Sequence, residues 1–150
     1  MVRCVECGAE YESDDDSCAA RFDRLLALDH SHQEPWGSRH GQAFAAFALQ
    51  HPARFASSLD QAWLALYRIY VMGDAPARVF AALRAAHGMP PAWDAPPRPS
   101  QRAALPTMTI ADLGDFAAES YAERLEAFCR ASLAAWNRAT GETARSPKGR

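Results

Sequence analysis

Three cysteines near the amino end have the residue type and the spacing of metal ligands. Cys4 and Cys7 are separated by two residues, Gly8 follows directly, and Cys18 comes later. Two thiolates at this spacing can hold one tetrahedral ion in a tight turn whose amides point at the sulfurs. Thioredoxin-like redox sites share the spacing, but they open a helix after a strand, and neither element is predicted around residues 4–8. We therefore interpret the segment as a zinc knuckle.

A zinc site needs a fourth ligand, and two histidines are candidates for it. If the first two predicted helices form an antiparallel hairpin, the start of the first lies beside the end of the second, so His51 faces Cys18 and His40 lies at the opposite end. The expected ligands are Cys4, Cys7, Cys18 and His51, with His40 as the alternative fourth ligand. The competing interpretation makes Cys4 and Cys7 free thiols, Cys18 a small core residue and His51 a helix cap.

A second group of polar residues is expected where the first helix meets the second. It consists of Asp29, His30, His32 and His40. Such a group can bind a divalent ion with open positions or supply a general base near neutral pH. Residues of these types are also common in ordinary solvated turns.

The elements that must position these residues are helices, since apolar periodicity predicts an all-α compact bundle of about five helices with the knuckle-like turn at its amino end. The first starts at Asp14–Asp16 with Ser17, where carboxylates and a hydroxyl satisfy the first amides, and ends near Asp29. Further helices are expected over about 40–50, 58–72 and 76–87, with Gly88 as the last one's cap. A final helical region begins at Thr107 or Thr109, with a break near Gly114, and stops at Gly141.

The predicted organisation is therefore one helical domain over residues 1–141. It contains the metal-binding knuckle at 1–18 and an extended proline-rich connection at 88–107. Residues 142–150 are expected to form a flexible tail. No alternating pattern of useful length predicts a β-strand.

Composition narrows the class of protein. The chain has 150 residues and a formal net charge of -2, so it lacks the basic field that carries non-specific nucleic-acid binding. No uncharged apolar run approaches the roughly 18 residues that span a bilayer, and the first residues have no apolar signal core. We expect a soluble, cytoplasmic protein that binds neither nucleic acid nor membrane and whose thiols stay reduced.

Several motifs together carry a family resemblance. They are Cys4-x-x-Cys7-Gly8, the helix-opening Cys18, His40 followed by Ala46-Phe47-Ala48-Leu49-Gln50-His51-Pro52, Thr109-Ile110-Ala111-Asp112, and Trp136 in the last helix. From Cys4 to about Asn137 the chain resembles the uncharacterised bacterial domain-of-unknown-function family 5946. The resemblance implies a small helical protein without an assigned activity and supports the shared cysteines and histidines. Many relatives carry an aspartate where this chain has Ala45, which weakens a catalytic role for His40.

The common catalytic signatures, including the phosphate-binding loop, the nucleophile elbow and the His-Glu-x-x-His helix, do not occur in the sequence. Cys129, the cysteine outside the proposed ligand set, lies on an apolar stripe and is expected in the core. We interpret the chain as a helical protein with one structural Zn²⁺, acting as an interaction or binding module with a protein partner and not as an enzyme. The alternative is a metal-dependent, hydrolase-like enzyme with an open site, or with a second ion at His30, His32 and His40.

Overall fold

The computed structural model describes residues 1–87 and 93–145, with backbone alone for 137–145. This part of the chain contains five α-helices and one small antiparallel sheet. The helices are α1 (Cys18–Asp29), α2 (His40–Gln50), α3 (Leu59–Tyr70), α4 (Pro76–Ala85) and α5 (Ala118–Arg145), and the strands are β1 (Val2–Arg3) and β2 (Glu10–Tyr11). The predicted all-α class is confirmed.

The two strands form the base of the amino-terminal turn. β1 and β2 pair antiparallel, and between them the amide of Cys4 donates to the carbonyl of Ala9 at 2.8 Å. The amide of Gly8 donates to the carbonyl of Cys4 at 2.9 Å, with Gly8 at a φ of 85° that glycine adopts without a steric penalty. The strands were not predicted, because two residues per strand leave no alternation to detect.

α1 begins later than the acidic run suggested. Asp14–Asp16 form a separate 3-10 turn, and α1 starts at Cys18. Ser17 is its N-cap, and the Ser17 Oγ accepts a hydrogen bond from the amide of Ala20 at 3.1 Å. The cap places Cys18 at the first helical position, facing inward.

α1 and α2 run antiparallel, as expected for a hairpin. Asp29 at the end of α1 is hydrogen-bonded to His40 at the start of α2, and Cys18 at the start of α1 lies with His51 at the end of α2. Between these ends the rings of Phe22 and Phe47 stack with their centroids 4.0 Å apart. The hairpin therefore separates the two groups of candidate functional residues, one at each end.

The last helix is longer than predicted. Thr109 and Asp112 form a capping box around a short 3-10 turn. Gly114 ends this turn at a φ of 65°, and α5 begins at Ala118. The expected stop at Gly141 is wrong, because α5 continues to Arg145. A glycine inside a helix costs only about 1 kcal/mol relative to alanine, which does not suffice to end a long helix. The predicted cap at Gly88, part of the proline-rich connection and the end of the tail lie in 88–92 and 146–150, outside the described residues.

α2 lies at the centre of the packing. Gln50 donates from Nε2 to the carbonyl of Met108 at 2.7 Å and to the hydroxyl of Ser132 at 2.8 Å. The indole of Trp136 donates to the carbonyl of Leu49 at 2.9 Å. These bonds tie the carboxyl end of α2 to α5 and to the segment that precedes it. None of the helices in the described ranges is long and apolar enough to cross a membrane.

Candidate metal centre

Three thiols and one imidazole converge where the amino-terminal turn meets α1 and α2. The potential ligand atoms of Cys4, Cys7, Cys18 and His51 all lie within 4.8 Å of one another. The turn between the strands supplies two of them, the first residue of α1 the third, and the residue after α2 the fourth. The structure thus brings together the four residues selected from the sequence, whereas His40, the alternative fourth ligand, lies at the other end of α2.

One pair of sulfurs has a spacing that suits tetrahedral coordination. The Sγ atoms of Cys7 and Cys18 are 3.5 Å apart, and all the cysteines are free thiols. Zn–S bonds of about 2.3 Å in a tetrahedron place two sulfurs about 3.8 Å apart. The separation of this pair is therefore within about 0.3 Å of the value that a tetrahedral zinc site requires.

The imidazole of His51 is oriented by its own helix. Nδ1 lies 2.9 Å from the carbonyl oxygen of Phe47, and a carbonyl can only accept, so Nδ1 carries the proton. Nε2 then has a free lone pair, and this atom is buried without a hydrogen-bond partner among the described residues. A buried nitrogen without a partner costs about 1–3 kcal/mol. A cation between Nε2 and the sulfurs would remove that cost.

The thiols are electrostatically coupled. The hydrogen bond with Cys18 is the main cause that lowers the pKa of Cys7 to about 4. The same bond, together with burial and the nearby sulfurs of Cys7 and Cys4, raises the pKa of Cys18. The short contact therefore favours one thiolate and one thiol within this pair. A divalent cation would supply the positive charge that lets all three sulfurs ionise.

Two further residues hold the amino-terminal turn against the rest of the molecule. The carboxylate of Glu6, between the two turn cysteines, accepts a hydrogen bond from the amide of Ala53 at 2.7 Å. Arg102 donates to the carbonyl oxygen of Glu6 and, at 3.0 Å, to that of Gln50. The sequence analysis missed both, because the partners are distant along the chain and follow no local motif.

The second predicted group is only partly assembled. Nδ1 of His40 lies 2.9 Å from Oδ2 of Asp29, whose carboxylate is fully buried. The ring of His30 is 5.4 Å from that of His40, centroid to centroid. His32 is an exposed turn residue with a φ of 63°. Among the described residues, these four do not form a cluster of ligand atoms like that of the cysteines.

Cys129 lies in the core. Its side chain is fully buried, and its Sγ donates to the carbonyl of Gln42 at 3.6 Å. Burial raises the pKa of Cys129 to about 12, so the thiolate needed for nucleophilic chemistry is strongly disfavoured. This placement agrees with the expectation that Cys129 is a packing residue.

The fold and the cluster define the chain as a small helical protein with a potential metal site of three cysteines and one histidine. The model of the family described as "Family of unknown function (DUF5946)" matches residues 2–137, so the chain belongs to that family. Neither a curated protein nor a solved structure gives a significant match.

Proposed function

We propose that Cys4, Cys7, Cys18 and His51 bind one structural Zn²⁺ ion and that the protein is a helical binding module whose amino end is held in place by this metal. The observation that carries the proposal is the Nε2 atom of His51. It is buried, forms no hydrogen bond of normal length and angle with a described residue, and belongs to a cluster with three sulfurs. Its tautomer is the one that leaves this atom free for a metal.

The chemistry of the ligands favours zinc over other divalent ions. Thiolates and imidazole in tetrahedral geometry suit Zn²⁺, whereas Mg²⁺ and Ca²⁺ prefer oxygen ligands. The site needs reduced thiols, so the proposal includes a reducing compartment such as the cytoplasm. Four protein ligands leave no open position for water or substrate, so the ion would act in folding and not in catalysis.

A role in binding is supported by the exposed side chain of Val5, which the metal would hold in place. Val5 lies between the two turn cysteines, and its side chain is almost completely exposed, at 95%. A metal bound on both sides of Val5 would fix this apolar side chain at the surface. A rigid side chain loses less entropy when a protein partner binds it.

The first test is the metal content of the purified protein. We expect one zinc per chain by elemental analysis. Cys18→Ser and His51→Ala should each lower zinc affinity and thermal stability, because each removes a ligand from a site whose apparent binding energy is on the order of 10 kcal/mol in small zinc modules. Cys129→Ala is the matched control: it removes a thiol outside the cluster and should leave the zinc content unchanged.

Chelation separates the structural site from a catalytic one. If the ion is structural, removing it should abolish the near-ultraviolet circular dichroism and the cooperative unfolding transition. A fully folded apoprotein would instead support the open, enzymatic site. Protein without zinc after reconstitution, or a His51→Ala variant that binds zinc as tightly as the wild type, would refute the proposed ligand set.

A further inference from the structure

The three cysteines of the metal cluster differ in their exposure to solvent. Cys7 and Cys18 are buried, with exposed fractions of 1% and 6%, whereas Cys4 is only half-buried. Cys4 follows β1 directly, at the base of the amino-terminal turn. The oxidation of cysteine depends on exposure as well as on ionisation. Cys4 is therefore the member of the cluster that an oxidant from solvent reaches most easily.

Cys18 interacts with both of the other sulfurs. Its Sγ lies 3.5 Å from that of Cys7, and its side chain also has a hydrogen-bond interaction with that of Cys4, whose Sγ is within 4.8 Å. The Ser17 cap fixes Cys18 at the first position of α1. A disulfide bond is about 2.0 Å long, so the side chains of Cys4 and Cys18 must turn towards each other to form one. Cys18 is thus a buried neighbour placed to react with an oxidised Cys4.

We propose that the cluster is a peroxide-sensitive switch, in which hydrogen peroxide oxidises Cys4, Cys18 forms a disulfide with it, and the metal is released. The inference rests on the proposed zinc site and adds a condition under which that site loses its ion. The metal ligand is the thiolate, which a disulfide no longer offers, so one Cys4–Cys18 bond removes two ligands at once. Only Cys7 and His51 would remain, and two ligands do not complete a tetrahedral site.

The reaction balances with hydrogen peroxide as the oxidant. The Cys4 thiolate attacks one peroxide oxygen and the O–O bond breaks, which leaves a sulfenic acid on Cys4 and a hydroxide ion. The Cys18 thiolate then attacks the Cys4 sulfur, so that the S–S bond forms and the S–O bond breaks with loss of a second hydroxide. The two sulfurs have together given two electrons to the peroxide, and solvent protonates both hydroxides to water. A dithiol reductant reverses the step and restores both ligands.

The test is peptide mapping of the zinc-loaded full chain after treatment with an excess of hydrogen peroxide. Samples are taken over time, their remaining thiols are blocked with N-ethylmaleimide, and released zinc is measured with a colorimetric chelator. A glutamate-specific protease that cuts after Glu6 and Glu12 places Cys4, Cys7 and Cys18 in separate peptides. We expect the first disulfide to join the Cys4 peptide to the Cys18 peptide, in step with zinc release. Dithiothreitol with added zinc should restore the metal content.

Two variants assign the separate roles of the cysteines. Cys4→Ser should slow the loss of free thiols to peroxide about tenfold, measured in saturating zinc, because the remaining sulfurs of the cluster are buried. Cys18→Ser should leave Cys4 as a sulfenic acid that dimedone labels. Cys129→Ala is the matched control: it removes a fully buried thiol outside the cluster and should release zinc at the wild-type rate.

The results that overturn the switch differ from those that refute the zinc site. A chain that holds no zinc before peroxide is added refutes the ligand set, and the release step with it. Zinc present at the start leaves the site intact and overturns the switch alone if the first disulfide joins another pair, or if the oxidised protein keeps its zinc. Zinc loss that the reductant does not reverse overturns it as well. The mapping uses the wild-type chain, so the test holds even if Cys18→Ser fails to fold.

Discussion

At the scale of a single residue, two contacts orient the His51 side chain. Its Nδ1 donates to the carbonyl of Phe47, and its ring packs on that of Phe47 with centroids 4.1 Å apart. The sequence predicts the position of His51, because Pro52 ends the helix and the periodicity assigns the inward face. The sequence does not predict which ring nitrogen of His51 carries the proton, because that depends on which nitrogen lies beside the carbonyl oxygen of Phe47.

Ser17 determines where Cys18 lies. Its hydroxyl oxygen satisfies the free amide of Ala20, and an N-cap of this kind is worth about 1 kcal/mol. We expect Ser17→Ala to lower the free energy of unfolding by about 1 kcal/mol in urea denaturation, with zinc stoichiometry unchanged.

Ser57→Ala is the matched control for Ser17→Ala. Ser57 is exposed and caps no α-helix, so its substitution should change stability by less than about 0.5 kcal/mol. Equal effects of the two substitutions would show that the Ser17 cap contributes nothing specific.

At the scale of the elements, helices marked by long sequence patterns were predicted close to their observed bounds, whereas elements with short patterns were not. α2 was predicted with its observed bounds, because Pro52 and a regular apolar face mark it. α3 and α4 were predicted within two residues at each end. The strands β1 and β2 were not predicted, because pairing across the turn holds them and no local pattern marks them. The end of α5 was predicted too early, because a single glycine, Gly141, does not end this helix.

Arg102 connects elements that no local pattern relates. It bonds the carbonyls of Glu6 and Gln50, so it fastens the amino-terminal turn to the end of α2. Hydrogen bonds from a charged donor are worth about 1.5–3 kcal/mol. We expect Arg102→Gln to speed zinc release to a colorimetric chelator about tenfold without changing the stoichiometry.

Arg130→Gln is the control for Arg102→Gln. Arg130 forms a half-exposed pair with Glu126 within α5, far from the turn. Its substitution should leave the rate of zinc release unchanged. If Arg102→Gln also leaves the rate of zinc release unchanged, the hydrogen bonds of Arg102 do not help the site to retain its metal.

At the scale of the whole molecule, the amino-terminal turn and the helices share one core. Cys7, Ala9 and Cys18 belong to the same buried apolar cluster as Phe47 of α2 and Phe128 of α5. The sequence predicted the helical class and the antiparallel hairpin. It could not predict how the turn docks, because those contacts join residues that are distant along the chain.

This shared core predicts cooperative unfolding. In a urea titration of the zinc-loaded protein, helix loss by circular dichroism and zinc release should have the same midpoint, since the metal ligands and the helices pack in one unit. Zinc release at a clearly lower urea concentration would show instead that the turn opens independently of the bundle.

The order of the four clustered residues along the chain has a consequence for synthesis on the ribosome. During synthesis the three cysteines emerge before His51, and Arg102 emerges after all four. A nascent chain thus offers an incomplete donor set until α2 has left the exit tunnel. The complete set of four donors can therefore assemble only after the end of α2 has emerged, even though the three cysteines are made first.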